Sequence, residues 1–340
     1  MMRAAPSPTP SPASIAPSPE IGGAGTELAE LVLTAREHPG LLGKSVIGLV
    51  SDVFGPTDWL SGPGDDGAAI PLAGTNVIAC GEALWPPFVA RDPYGAGVAA
   101  VLTNVNDLAA MGATPLGIID TIVADDSVAH RVLQGMRYAC EIYGVPLLGG
   151  HLTRDDGAPS VSAFGIGCAS HPLSVANIRT GQRLVFACAV EGDMREDFPF
   201  FRSFDVRAEK VAGDVRVLAE VADSGACVAA KDVSMAGFVG SLAMLLEHGR
   251  FGVTVDLDKV ARPRGVPMHR WLSCFPSFGF LLCVPSGRED DCLRPFHQRG
   301  LKADVIGEID PGGQVALRRG AERVTAFDLF TDTVTRLRRA

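Results

Sequence analysis

Asp92-Pro93-Tyr94-Gly95-Ala96-Gly97 leads through Val98-Ala99-Ala100-Val101-Leu102-Thr103-Asn104-Val105 into Asn106-Asp107-Leu108-Ala109-Ala110-Met111-Gly112-Ala113-Thr114-Pro115. Asp92 is a favourable N-cap and Pro93 a favourable first helical residue, while Gly112 and Pro115 supply a stop, so a helix is expected over about 93–111. Val98, Val101, Leu102, Val105, Leu108 and Ala109 recur at the helical period and form a broad apolar stripe. Asn106 and Asp107 fall in its closing turns. A carboxylate in so apolar a helix must reach solvent or meet a cation or donor. The alternative is a polar residue on the solvated edge of a core helix.

Upstream stands Gly62-Pro63-Gly64-Asp65-Asp66-Gly67-Ala68-Ala69-Ile70, two carboxylates in a glycine-rich turn that enters an apolar strand. Mg²⁺ keeps several waters and takes one or two carboxylates plus phosphate oxygens, so the pair suits half of a magnesium site. An ordinary solvated turn has the same composition. Downstream, Leu147-Leu148-Gly149-Gly150-His151 ends a strand expected over 145–148, where the glycines let the chain approach a ligand. His151 can serve as phosphate donor, general base, metal ligand or plain structural histidine. Lys231-Asp232-Val233-Ser234-Met235-Ala236-Gly237 closes an apolar strand and opens a helix expected over 235–248. Backbone N–H groups there point toward an anion, and Asp232 or Ser234 fits equally well as an N-cap.

These four segments, in this order, resemble the aminoimidazole ribonucleotide (AIR) synthetase superfamily, the PurM-like proteins. It includes thiamine-monophosphate kinase, selenophosphate synthetase and the hydrogenase-maturation dehydratase. The resemblance runs from about residue 44 to 310, and its details are most similar to the bacterial AIR synthase-related proteins. It implies an α+β, PurM-like two-domain fold: an N-terminal mixed-sheet ATP-binding domain and a C-terminal αβ sandwich. It implies ATP and Mg²⁺ as cofactors, with Asp65, Asp66 and Asp107 on metal and phosphate, Asn106 beside them, and Lys44, Gly64, Gly149 and Gly150 toward the nucleotide. A homodimer is expected on the same ground.

Three departures bear on the chemistry. Glu82 stands where relatives usually carry an aspartate ligand, and is the fourth candidate for metal. His151 replaces a hard anionic ligand with an imidazole suited to softer metals. Met235 replaces the second aspartate of the C-terminal motif, leaving Lys231, Asp232 and Ser234 to face the acceptor, with His151 as a further catalytic candidate. The resemblance then implies an ATP- and Mg²⁺-dependent enzyme that transfers or uses the γ-phosphoryl group to activate an oxygen or nitrogen of a small metabolite. Two other readings stay open. One is a nucleotide-binding regulatory or partner subunit of the same fold without turnover; the other is a nucleotide-independent metal enzyme built on Glu82, His151 and Asp107.

The 340 residues, 47% of them hydrophobic, suffice for two ordinary cores. A formal net charge of −9 argues against a nucleic-acid partner. No apolar run has the length of a membrane span, and the first residues lack a signal-peptide core, so a cytoplasmic protein is expected. Eight cysteines are scattered without a Cys-x-x-Cys pair, as reduced structural cysteines are, with Cys80 a minor nucleophile candidate. Six prolines in residues 1–22 mark a disordered tail. The ATP-binding domain is expected over 23–172 and the C-terminal domain over 173–335.

Overall fold

The computed structural model describes residues 26–56 and 64–338. The expected tail at 1–22 lies outside them, as do Gly62 and Pro63. Helices α1 (Glu27–Arg36), α2 (Pro39–Leu42) and α3 (Gly48–Phe54) come first. Next in the chain are β1 (Ala68–Leu72), β2 (Thr75–Ala83), α4 (Pro86–Arg91), α5 (Pro93–Ala110), β3 (Thr114–Ala124), α6 (Asp126–Tyr143), β4 (Leu147–Arg154) and β5 (Ser160–Ala169). These strands form a mixed sheet in the order β1-β2-β5-β3-β4, antiparallel except for the parallel β3–β4 pair.

Helix α5 follows its sequence signals closely. The Asp92 carboxylate accepts the Gly95 N–H at 2.9 Å, Pro93 begins the helix, and Gly112 turns the chain out at φ 69°. Side chains alternate across the sheet as strand geometry requires. Ile78, Ile118, Ile122, Val161 and Ala163 are buried beneath α5 and α6, whereas Ile70, Leu72, Leu116, Leu148, Leu152 and Phe164 stand exposed. Strand β4 runs on past Gly149 and Gly150, because its pairing with β3 continues from Ile118–Leu147 to Ala124–Arg154. His151 is therefore a mid-strand residue at the sheet edge rather than the first residue of a loop.

The second half comprises β6 (Arg183–Cys188), β7 (Asp193–Met194), β8 (Phe200–Arg202), α7 (Val211–Asp223), β9 (Ala229–Asp232), α8 (Gly237–Glu247), β10 (Gly252–Asp256), α9 (Met268–Ser273), β11 (Phe275–Pro276), β12 (Gly279–Val284), α10 (Glu289–Gln298), β13 (Lys302–Asp310), β14 (Gln314–Arg319) and β15 (Glu322–Asp328). Seven of these strands form a sheet in the order β15-β14-β10-β13-β6-β12-β9, and β11-β8-β7 form a small one. Phe280, Leu282 and Val284 on one face of β12 join α7 and α10 and continue into the α5–α6 core. Leu281 and Cys283 on the other face join α8. Helix α1 also packs there through Leu28, Leu31, Val32 and Ala35, so it belongs with the second core although it precedes the first sheet in sequence.

Two glycines let α5 and α6 touch. A Cβ on Gly97 would overlap the Val132 carbonyl oxygen, and one on Gly135 would overlap that of Tyr94. Gly97→Ala is expected to force these helices apart at a cost of about 1–3 kcal/mol, read as a lower urea midpoint with unchanged slope.

Candidate functional site

The end of β9 brings Lys231 and Asp232 under the turn that carries Asp65 and Asp66, and the last turn of α5 brings Asp107 beside them. Carboxylate oxygens of Asp66, Asp107 and Asp232 lie within 4.8 Å of one another. The Lys231 ammonium donates to the Asp66 carboxylate and lies 3.7 Å from an Asp232 oxygen. The Asp232 N–H also donates to Asp66, at 3.0 Å. Asp107, Lys231 and Asp232 are all buried.

Three carboxylates face one ammonium, an imbalance felt at Asp107 and Asp232. Burial, then the Asp232 and Asp66 charges, hold the Asp107 carboxyl well above the usual range. Burial followed by Asp66 pushes Asp232 up to about 7. Burial alone would lower Lys231, but Asp66 and Asp232 outweigh it and keep the ammonium protonated beyond the usual lysine range. Glu82 is open to the cavity, yet the surrounding protein still raises its carboxyl, with Lys44 opposing and Asp66 adding to the rise.

A cavity of about 330 Å³ opens over this cluster. Lys44, Gly64, Asp65 and Glu82 line it together with the cluster and Ser234. Gly64 adopts φ 104°, left-handed backbone that a side chain would strain, and this turns the two aspartates inward. They then diverge. Asp65 accepts from the Ser174 hydroxyl at 2.6 Å and the Val175 N–H at 2.7 Å, tying the turn to the segment that joins the sheets, while Asp66 enters the acid cluster. Asn106 points away from its neighbour: its amide donates to the Ser277 carbonyl at 3.2 Å, and its buried Oδ1 has no partner among the described residues. Asp232 and Ser234 do not cap α8, which starts at Gly237 without a side-chain cap.

The structure does not bring Gly149, Gly150 or His151 to this cavity within one chain. In the sheet order, β5 and β3 separate their strand from β2, which carries Glu82. Cys80 donates toward Asn104 Oδ1 at 3.3 Å, and burial drives its thiol far up, which makes it a poor nucleophile. Thr335 and Leu337, near the far end of the chain, close the cavity without any motif to announce them.

The comparisons with known proteins converge on one group. The family model described as AIR synthase related protein, N-terminal domain, matches residues 64–169, and the C-terminal domain counterpart matches 185–320. An uncharacterised protein of Synechocystis is 31% identical over 316 residues, 91% of this chain and 98% of that protein. Among solved structures, Thermotoga maritima PurL complexed with ADP superimposes with a TM-score of 0.71 at 18% identity, over 89% of this chain and 51% of that one. This chain thus spans about half of that PurL. AaThiL complexed with AMPPCP and TMP gives 0.61 at 18% identity, over 83% and 96%.

Proposed function

This chain belongs to the AIR synthase-related, PurM-like family, and on that premise we propose that it is an ATP- and Mg²⁺-dependent enzyme that passes or uses the γ-phosphoryl group to activate an oxygen or nitrogen of a small metabolite. The observation that carries the reading is the buried excess of carboxylate over ammonium formed by Asp66, Asp107, Asp232 and Lys231 at the junction of the two sheets. Burying such an excess is costly unless something neutralises it. An all-oxygen carboxylate set fits a hard divalent cation. PurL and ThiL structures hold ADP and AMPPCP, which supports a nucleotide as the phosphate source.

Asp66, Asp107 and Asp232 hold the ion, and Glu82 lies on the cavity wall within reach of the same charges. A Mg²⁺ held by these carboxylates would supply positive charge to offset that of the phosphates. Lys44 lines the cavity close enough to act on Glu82 and Asp232, and provides an ammonium for phosphate. Lys231 keeps its proton and holds Asp66 in place. The exposed apolar face of the first sheet, with Leu116, Leu148, Leu152 and Phe164, is the surface for a second copy of the chain. Such pairing would give the exposed glycines of β4 and His151 the role that one chain does not give them.

Among the described residues, no helix is long and apolar enough to cross a membrane. Proton and metal compete for the same carboxylates, so Mg²⁺ affinity should rise with pH while Asp232, pushed up to about 7, is losing its proton, by up to about tenfold per unit below pH 7, and the raised Asp107 carboxyl should carry the rise to higher pH. Calorimetric titration of Mg²⁺ with ATP from pH 5.5 to 8.5 checks this. A flat profile, or affinity falling toward alkaline pH, would overturn the reading.

A further inference from the structure

A second cavity, about 630 Å³ and mostly apolar, lies where the two halves meet. Glu82 lines both cavities, and Met235, which follows Ser234 of the first, lines the second. Rings come from both sides. Phe88 and Tyr94 belong to the first half and Phe198 and Phe200 to the second, with Phe88 and Phe198 stacked at 6.3 Å and Phe200 stacked on Phe275 at 5.1 Å. A volume in the range of small-molecule sites, walls of ring faces and a few polar groups are what a flat, unsaturated ligand needs.

The arginines on the wall are not equivalent. Arg195 is engaged by both Asp197 oxygens at 2.9 Å and by Asp92 at 3.6 Å. Arg202 reaches only Asp205, at 3.6 Å, and its buried Nε–H has no acceptor among the described residues. A guanidinium held by one ion pair as long as 3.6 Å keeps N–H donors to offer a ligand carboxylate.

We propose that this second cavity holds the ring of an aromatic substrate whose carboxylate pairs with the Arg202 guanidinium, a lining group whose side chain is 40% exposed, and whose reacting group lies toward Glu82. Calling that ligand the acceptor rests on the ATP-dependent reading; the binding of a ring does not. An acceptor bound here adjoins the acid cluster through Glu82 without sharing its aspartates, so the two sites can be broken separately.

The test uses the full-length protein with three probes: 2-naphthoate, 2-naphthamide and decahydro-2-naphthoate. Saturation-transfer NMR and calorimetry should show 2-naphthoate binding about tenfold more tightly than its saturated analogue. Phe200→Ala should weaken it about tenfold, and Phe198→Ala, at a half-buried position, repeats the test without disturbing the core. Arg202→Met should abolish the preference for naphthoate over naphthamide. Equal affinity for ring and saturated probe, no naphthoate binding, or binding indifferent to both phenylalanine variants would overturn the proposal. ATP titrations on the same samples report separately: naphthoate binding without ATP binding would overturn the enzyme reading and leave the ring site standing.

Discussion

Lys231→Met is expected to destabilise the metal-free protein by about 3–5 kcal/mol, because it removes one partner of a buried charge cluster and leaves the others uncompensated. The ammonium is 4% exposed and holds Asp66 directly. Its folded-state pKa is raised, so its contribution is complete below the unfolded lysine value and is lost only as pH climbs through the folded one. At neutral pH the whole effect should therefore appear. Mg²⁺ should restore the variant more than it stabilises wild type, since the ion supplies the charge the methionine lacks. Urea unfolding at pH 7, with and without millimolar Mg²⁺, measures both. A variant as stable as wild type without metal would mean that Lys231 does not offset buried carboxylate charge.

Asp107→Asn should have the opposite signature, with binding lost and stability kept. Removing a carboxylate ligand is expected to lower Mg²⁺-dependent ATP affinity by about two orders of magnitude or more. The folded carboxyl is held well above its unfolded value, so the native state retains protons that the unfolded chain releases. That difference subtracts stability as pH rises above about 4. A neutral amide of the same shape removes the penalty, and the metal-free variant should be as stable as wild type or more so at pH 8. Function and stability pulling apart is the mark of a strained site. If Asp107→Asn binds ATP normally and unfolds more easily, the aspartate is a structural residue.

The fold was legible where local signals agree. Asp92, Pro93 and Gly112 bound α5 within about one residue of expectation. The acid cluster was legible only in part. Asp107 announces itself as a carboxylate in an apolar helix, but Asp66 meets Lys231 across 165 positions of sequence, a contact set by how two sheets pack. Adjacent residues can face opposite ways, as Asp65 and Asp66 do: one ties down a connecting segment and the other enters the cluster. Sequence adjacency cannot assign those roles. The paired glycines before His151 suggested a strand end, whereas pairing with β3 carries the strand through them. The aromatic cavity was not legible because its rings, among them Phe88, Tyr94, Tyr138, Phe198, Phe200 and Phe275, are scattered along the chain and meet only through packing.

Calorimetric titration of ATP into wild type and Asp66→Asn, with and without Mg²⁺ and with circular dichroism to confirm folding, tests the central claim most directly. The account predicts Mg²⁺-dependent binding to wild type that is lost in the variant. Folded wild-type protein that fails to bind ATP at any Mg²⁺ concentration, or a variant that binds as well as wild type, would contradict it.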